Sequence, residues 1–215
     1  MDYINVALGK GRLAEKGYEI FKKIGYDCSE FEKKSRKLIF ENSEKKIRFI
    51  LVKAQDVPVY VERGAADLGI VGKDTIMEEG RDLYEIADLG FGRCKFAVAA
   101  MKGFKLENVR GQLKVASKYP NVATKYFLEN GRQIDTIKLN GSVELAPIVG
   151  LSDVIVDIVE TGGTLKENGL EVIQDMYPVS ARLVANKVSF KTKNGKIRGI
   201  VEKIKEAVKE DNADD

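Results

Sequence analysis

The sequence predicts an α/β fold built from two similar lobes, and three observations carry that prediction. Short apolar runs alternate along the chain with segments of helical periodicity, the pattern of strands interleaved with helices. Several of those runs end in glycine-bearing turns that lead into helices, among them Gly9-Lys10-Gly11-Arg12 and Thr161-Gly162-Gly163-Thr164. The chain also echoes itself. Asn5-Val6-Ala7-Leu8 before a turn and helix is matched by Lys114-Val115-Ala116-Ser117 before Lys118-Tyr119-Pro120 and a helix. Ala66-Asp67-Leu68-Gly69-Ile70-Val71 is matched, in the same order, by Ser152-Asp153-Val154-Ile155-Val156. Two lobes of one kind place a ligand in the cleft between them.

Residues 4–8 read as a short strand, 9–12 as a turn, and 13–24 as a helix with Leu13, Ile20, Phe21 and Ile24 on its apolar face and Gly25 as its stop. Residues 38–41 and 47–52 read as strands joined through Asn42-Ser43-Glu44. Asp56 is placed to cap a helix that starts with Val57, Val59, Tyr60 and Val61. A buried strand over 66–71 then runs into a loop, Gly72-Lys73-Asp74. Strands follow at 96–101, 114–116 and 136–139, with a helix over 121–130 closed by Gly131. Gly141-Ser142 opens another helix, with Glu144 in its first turn, where a carboxylate complements the helix dipole. Strands are expected at 154–159 and 181–185, with a strand-like piece at 188–191. Ile197, Ile200, Val201, Ile204 and Val208 form a helical stripe, and 210–215 is an acidic, fraying end.

At 215 residues the chain is long enough to bury a sizeable core. Its net charge of +3, with basic residues scattered among acidic ones, gives no footprint for nucleic acid. No apolar run is long enough to cross a bilayer, and Met1-Asp2-Tyr3-Ile4-Asn5 lacks the basic start and apolar stretch of a signal peptide. Cys28 and Cys94 stand apart without metal-ligand spacing, as reduced thiols of a cytoplasmic protein do. The chain contains no histidine, which excludes a Ser-His triad, a histidine general base and His-ligated zinc.

The most informative stretch runs from Ser152 to Leu165: an apolar strand carrying one acidic residue, Asp157, then Thr161-Gly162-Gly163-Thr164, then a helix start. Such a turn offers backbone N–H groups, two hydroxyls and the positive end of a helix, which suits a phosphate. Many glycine turns bind nothing. Asp157 adds weight, because a carboxylate inside an apolar run is costly unless it is paired or used. A carboxylate just upstream of a phosphate turn suits sugar hydroxyls, and together they point to a phosphorylated ribose. Gly9-Lys10-Gly11-Arg12 is a second possible anion cradle. Lys53 follows the apolar run 49–52 at a strand end, where α/β sheets bind ligands, and Arg93 stands just before the strand expected to cross between lobes.

Together these residues resemble the ATP phosphoribosyltransferase family. The likeness runs through Gly9-Lys10-Gly11-Arg12, Lys53-Ala54-Gln55-Asp56-Val57-Pro58, Gly69-Ile70-Val71-Gly72-Lys73-Asp74, Gly90-Phe91-Gly92-Arg93-Cys94, Asn140-Gly141-Ser142-Val143-Glu144 and the stretch from Asp153 to Leu165. Lys53 stands where many relatives are expected to carry arginine, which keeps the charge and loses the bidentate fork. The resemblance implies a two-lobed fold like the type II periplasmic binding proteins, with 1–92 and 182–215 in one lobe and 93–181 in the other. It implies transfer of the 5-phosphoribosyl group of 5-phosphoribosyl 1-diphosphate (PRPP) to N1 of ATP, the step that opens histidine biosynthesis. Lys10, Lys53 and Arg93 then act on the leaving pyrophosphate with Mg²⁺, which is expected on the substrate phosphates. Gly11, Arg12, Glu144, Asp153, Asp157, Thr161, Gly162, Gly163 and Thr164 bind substrate. The chain looks like the family's short form, implying a partner subunit related to histidyl-tRNA synthetase, together with a homodimer. Rival readings are a two-lobed solute-binding protein, a scaffold subunit without activity, and a phosphoribosyltransferase for another nucleobase. The last usually places two adjacent acidic residues before the phosphate loop, whereas Asp157 lies between Val156 and Ile158.

Overall fold

In a computed structural model of the chain, residues 3–31 and 36–211 are described. The chain divides into two compact units, Met1–Gly92 with Ser180–Asp215, and Arg93–Val179. The return to the first unit falls at Ser180, two residues before the expected 182, because Ala181 already pairs with Gly72 of the first sheet.

The first unit is a six-stranded sheet. Its strands are β1 (Ile4–Gly9), β2 (Ile39–Asn42), β3 (Ile47–Val52), β4 (Leu68–Gly72), β5 (Tyr84–Asp88) and a strand from the far end of the chain, Ala181–Ala185. β1 pairs in parallel with β3 and β4, and Ala181–Ala185 runs antiparallel between β4 and β5. The central strands are buried on both faces, which explains their unbroken apolar composition. Helix α1 (Arg12–Lys23) buries Ala14, Gly17, Tyr18 and Phe21, positions that recur every three or four residues on one face. It packs closely: a Cβ on Gly17 would lie 2.8 Å from Ile70 Cδ1. On the other face α2 (Val57–Glu62) crowds β4, where a Cβ on Gly69 would meet Val61 and Val57 at 2.8 and 2.9 Å. Tyr18, Phe21, Phe31, Phe40 and Phe49 form an aromatic cluster beside α1. The Tyr18 hydroxyl donates to the Cys28 carbonyl and accepts from its N–H.

The second unit is a five-stranded sheet of β6 (Cys94–Met101), β7 (Leu113–Ser117), β8 (Ile134–Lys138), β9 (Val154–Val159) and β10 (Leu170–Val179). With Ala181–Ala185 numbered β11, the first sheet has the order β2-β3-β1-β4-β11-β5 and the second, read in the same direction, β8-β7-β9-β6-β10. β7 is parallel to β8 and β9, while β6 is antiparallel to both β9 and β10. Apart from edge strand β2, the two sheets therefore share one topology, and the internal echo in the sequence is its trace. β1 corresponds to β7 and β4 to β9.

The remaining helices are α3 (Lys73–Glu79), α4 (Pro120–Glu129), α5 (Leu145–Ile148), α6 (Gly163–Glu167), α7 (Lys187–Thr192) and α8 (Asn194–Asp211). The apolar stripe of α8, from Ile197 to Val208, is buried as expected. Other expectations need correction. Residues 72–74 are not a loop: Lys73 already begins α3. The piece at 188–191 is helical, started by Asn186, whose side chain accepts the Ser189 N–H. Asp56 stands before α2 but makes no side-chain cap. Glu144 is the N-cap of a helix only four residues long rather than part of its first turn. The first two residues and 212–215, which include most of the expected acidic end, lie outside the described residues. Among the described residues no helix is long and apolar enough to cross a membrane.

Candidate active site

In each unit the loops that follow the parallel strands gather at the carboxyl edge of the sheet, where open α/β sheets bind ligands. In the first unit β1 and β3 run side by side with Gly9 opposite Val52, so the residues just beyond them, Lys10 and Lys53, emerge as neighbours. The Lys10 N–H donates to the Val52 carbonyl at 2.9 Å and fixes the turn against the end of β3. Gly9 is required by close approach, since a Cβ there would lie 2.8 Å from Ala54 Cα. Gly11 has φ 106, a left-handed conformation that favours glycine, and open space surrounds it. It precedes α1, whose start has no side-chain cap, so this turn presents amide donors and the Arg12 side chain at a helix N-terminus. Lys10, Arg12 and Lys53 are exposed, and among the described residues Lys10 and Lys53 make no ion pair.

In the second unit the run 161–164 follows β9. Gly162 is the N-cap of α6 with φ 76, and the Gly163 N–H points at Thr161 Oγ1 at 3.4 Å, a weak contact. Thr161, Gly163 and Thr164 are exposed. The antiparallel register of β6 on β9 sets Lys95 opposite Val159, so Arg93 stands beside the start of this turn. The loop after β8 arrives at the same edge with Ser142, at φ 48, followed by Glu144. Asp157 lies on β9 opposite Ala97. It is half-buried rather than embedded in the core, and its Oδ1 accepts the Ile158 N–H at 2.8 Å. One edge therefore brings together Arg93, Glu144, Asp157 and the 161–164 turn.

Asp153 does not join them. It precedes β9 at the amino edge of the sheet, about 13 Å of extended chain from Asp157. Its Oδ2 accepts the Lys114 N–H at 2.8 Å, and its own N–H donates to the Lys114 carbonyl at 3.0 Å. Asp67 makes the same pair of bonds with Asn5 in the first unit, each at 2.8 Å. The repeated aspartate is a clamp that starts two neighbouring parallel strands together, a role the echo in the sequence signals once the register is known. The expectation that Asp153 touches substrate is corrected on this ground. Nothing local in the sequence marks Lys118 as a site residue. It follows β7 at the carboxyl edge, exposed, in a position that only strand order reveals.

The profile of the HisG family, described as ATP phosphoribosyltransferase, matches residues 53–206. The ATP phosphoribosyltransferase of Clostridioides difficile is 57% identical over 201 residues, covering 94% of this chain and 96% of that protein. A Clostridium botulinum protein of the same name is 53% identical over 212 residues, covering 98% of this chain and all of the relative. Among solved structures, the ATP phosphoribosyl transferase (HisG:HisZ) complex from Thermotoga maritima contains a chain that matches with a TM-score of 0.85 at 36% identity, over 97% of this chain and 98% of that one. The VFT2 domain of Bordetella pertussis BvgS matches with a TM-score of 0.60 at 12% identity, a likeness of fold alone. The relatives and the solved structure match over nearly the whole length and the profile over residues 53–206, and the chain belongs to the ATP phosphoribosyltransferase family.

Proposed function

We propose that the carboxyl-edge loops of the two sheets carry out the transfer of the 5-phosphoribosyl group of PRPP to N1 of ATP, giving N1-(5-phosphoribosyl)-ATP and pyrophosphate, the first step of histidine biosynthesis. The observation that carries this reading is the 161–164 turn at the end of β9, with Asp157 below it and Arg93 beside it. The turn suits the 5-phosphate: an exposed glycine lets an anion approach the backbone amides, and Thr161 and Thr164 add hydroxyl donors. Asp157 accepts hydroxyls of the ribose. Glu144, from the loop beside the turn, is a further acceptor for sugar hydroxyls.

The chemistry suits a chain without histidine. Adenine N1 already holds a lone pair at neutral pH, so attack needs no strong base. The bond from N1 to the anomeric carbon forms as the bond from that carbon to the diphosphate oxygen breaks, and the electron pair leaves with pyrophosphate. The anomeric carbon becomes oxocarbenium-like, and the barrier falls when positive charge meets the leaving group. Lys10, Lys53 and Arg93 supply that charge, and the amides at Gly11 and Arg12 assist. Mg²⁺, when bound, would be held chiefly by the donor's phosphates rather than by protein side chains, the usual mode for this ion with phosphate-rich substrates. Among the described residues no group of three or more Asp, Glu or Cys side chains gathers to cage a metal. Such an ion would supply further neutralisation of the leaving charge.

The Thermotoga maritima relative is a HisG:HisZ complex. By likeness to that complex, this chain works with a partner subunit related to histidyl-tRNA synthetase; a homodimer and a cytoplasmic setting complete the reading. The test is pyrophosphate release from PRPP with Mg²⁺, with and without ATP and with and without such a partner. Release that depends on ATP is expected, and Lys53→Ala should lower kcat by about 10²-fold, the scale of one preorganised charge contact. Release at the same rate without ATP would overturn the reaction, and wild-type kcat in Lys53→Ala would remove that lysine from it.

A further inference from the structure

The amino edge of the second sheet holds a cavity of about 570 Å³, at the opposite end of β7 and β9 from the 161–164 turn. Lys105, Arg110 and Lys114 line it, all three exposed, and among the described residues none of them makes an ion pair. Ser152 also lines it. That residue is only 6% exposed, and its Oγ has no hydrogen-bond partner. A buried hydroxyl without a partner is costly, and it marks a place where a polar group is missing. Asp153 completes the wall, with one oxygen engaged by the Lys114 N–H.

The repeated topology supplies a control within the molecule. In the first unit the corresponding place, beside Asp67, is filled. The Lys193 ammonium, between α7 and α8, lies 3.0 and 3.1 Å from the two Asp67 oxygens and 3.1 Å from the Tyr3 carbonyl. Lys193 follows β11, whose counterpart in the second sheet is β6; no α-helix stands between β6 and β7 to play that part, and three cations surround the opening instead. From this difference we infer that the cavity binds a small phosphorylated molecule bearing a hydroxyl next to its phosphate. The phosphate meets Lys105, Arg110 and Lys114. The hydroxyl donates to Asp153, as the Lys193 ammonium does to Asp67, and offers its oxygen to Ser152. Three cations outweigh the single carboxylate, so the site takes an anion, and Asp153 selects for a donor beside it.

This inference stands apart from the reaction assigned to the carboxyl edge, and its test separates the two. Glycerol phosphate is titrated into the full chain at about 0.15 M ionic strength, with the amide resonances of Gly103 and Gly150 reporting on the cavity and those of Gly162 and Gly163 on the turn. Saturable shifts at Gly103 and Gly150 are expected, tighter than with inorganic phosphate. They should persist in Gly163→Val and weaken about tenfold or more in Lys105→Ala/Arg110→Ala, whose exposed positions leave folding intact. Shifts confined to Gly162 and Gly163, or an unchanged response in the double variant, would overturn the site. Equal affinity for inorganic phosphate would overturn the role given to Asp153 and Ser152.

Discussion

Asp153, just before β9, and Asp157, on it, are four positions apart, and the proposed function gives them different parts, the first clamping strands and the second meeting substrate. In the sequence Asp157 interrupts an apolar run, whereas Asp153 stands at the start of that run. One oxygen of the amino-edge carboxylate holds a backbone amide, whereas the other aspartate sits near the carboxyl edge where substrate is proposed to bind. The two should therefore respond differently to the same change. Asp157→Asn keeps shape and removes charge, and kcat/KM for PRPP should fall about 10- to 100-fold, the worth of a charge-assisted contact, while Tm stays within a few degrees. Asp153→Asn should cost stability on the order of 1–3 kcal/mol with kcat/KM nearly intact, because the amide oxygen is a weaker acceptor for the Lys114 N–H. Steady-state kinetics and thermal melts of both variants check this. A melted Asp157→Asn beside an inactive but stable Asp153→Asn would reverse the assignment.

At the scale of elements the turns between strand and helix decide what each sheet edge can bind. Gly163 has room: a Cβ there would lie 3.7 Å from Thr161 Oγ1, an ordinary contact. Gly163→Val should thus fold normally yet fill the space over the amides, raising KM for PRPP about tenfold or more. An unchanged KM in the folded variant would place the 5-phosphate elsewhere. A different element carries a pH response. Tyr177 on β10 donates its hydroxyl to Glu129 at the end of α4, and burial together with that carboxylate pushes its pKa up to about 12. The folded state thus holds this proton more tightly than the unfolded chain, whose phenol titrates near 10. The contribution is whole below pH 10 and is lost as pH rises through 12. Tyr177→Phe should flatten the fall in Tm across that window, and an equally steep fall in the variant would assign the alkaline loss to other groups. The sequence made α1, β9 and α8 legible because each has strong periodicity or punctuation: Phe21 and Gly25, the 154–159 run, and the Ile197 to Val208 stripe. It hid β5 and β10, whose residues alternate weakly and owe their strand form to antiparallel partners distant in sequence, Arg182 for Asp88 and Ala99 for Val172. It hid α3 as well, because Gly72-Lys73-Asp74 reads as punctuation and the following residues are only half-buried. Most of the candidate site was visible, since strand ends followed by glycine or cations are local features. Asp153 misled, because its role depends on which end of the strand faces substrate, and neighbouring strands rather than neighbouring residues set that.

At the scale of the whole chain, each of two units of one topology carries residues that the proposed function assigns to the chemistry. The first presents Lys10, Arg12 and Lys53 at its carboxyl edge, and the second presents the phosphate turn, Asp157 and Arg93. Among the described residues the one cavity argued to take a separate ligand is lined by three cations and suits a phosphate, a poor match for an imidazole-bearing amino acid. The chain spans 98% of the matched chain of the Thermotoga maritima HisG:HisZ complex, so that relative, similar in extent, comes with a second kind of subunit. By the proposed likeness to that complex, feedback by the pathway's end product is expected of the assembly. Histidine should inhibit the assembly of this chain with a HisZ-type partner and leave the chain alone unaffected, and the partner should also raise kcat if it favours the catalytically closed arrangement of loops. The measurement is a histidine titration of pyrophosphate release, run on the chain purified from a host lacking the partner and again after the partner is added. Because coupling is reciprocal, histidine binding to the complex should in turn depend on whether PRPP is present. Strong inhibition of the isolated chain at micromolar histidine would show a regulatory site within these residues, and the division of labour between two kinds of subunit would be wrong.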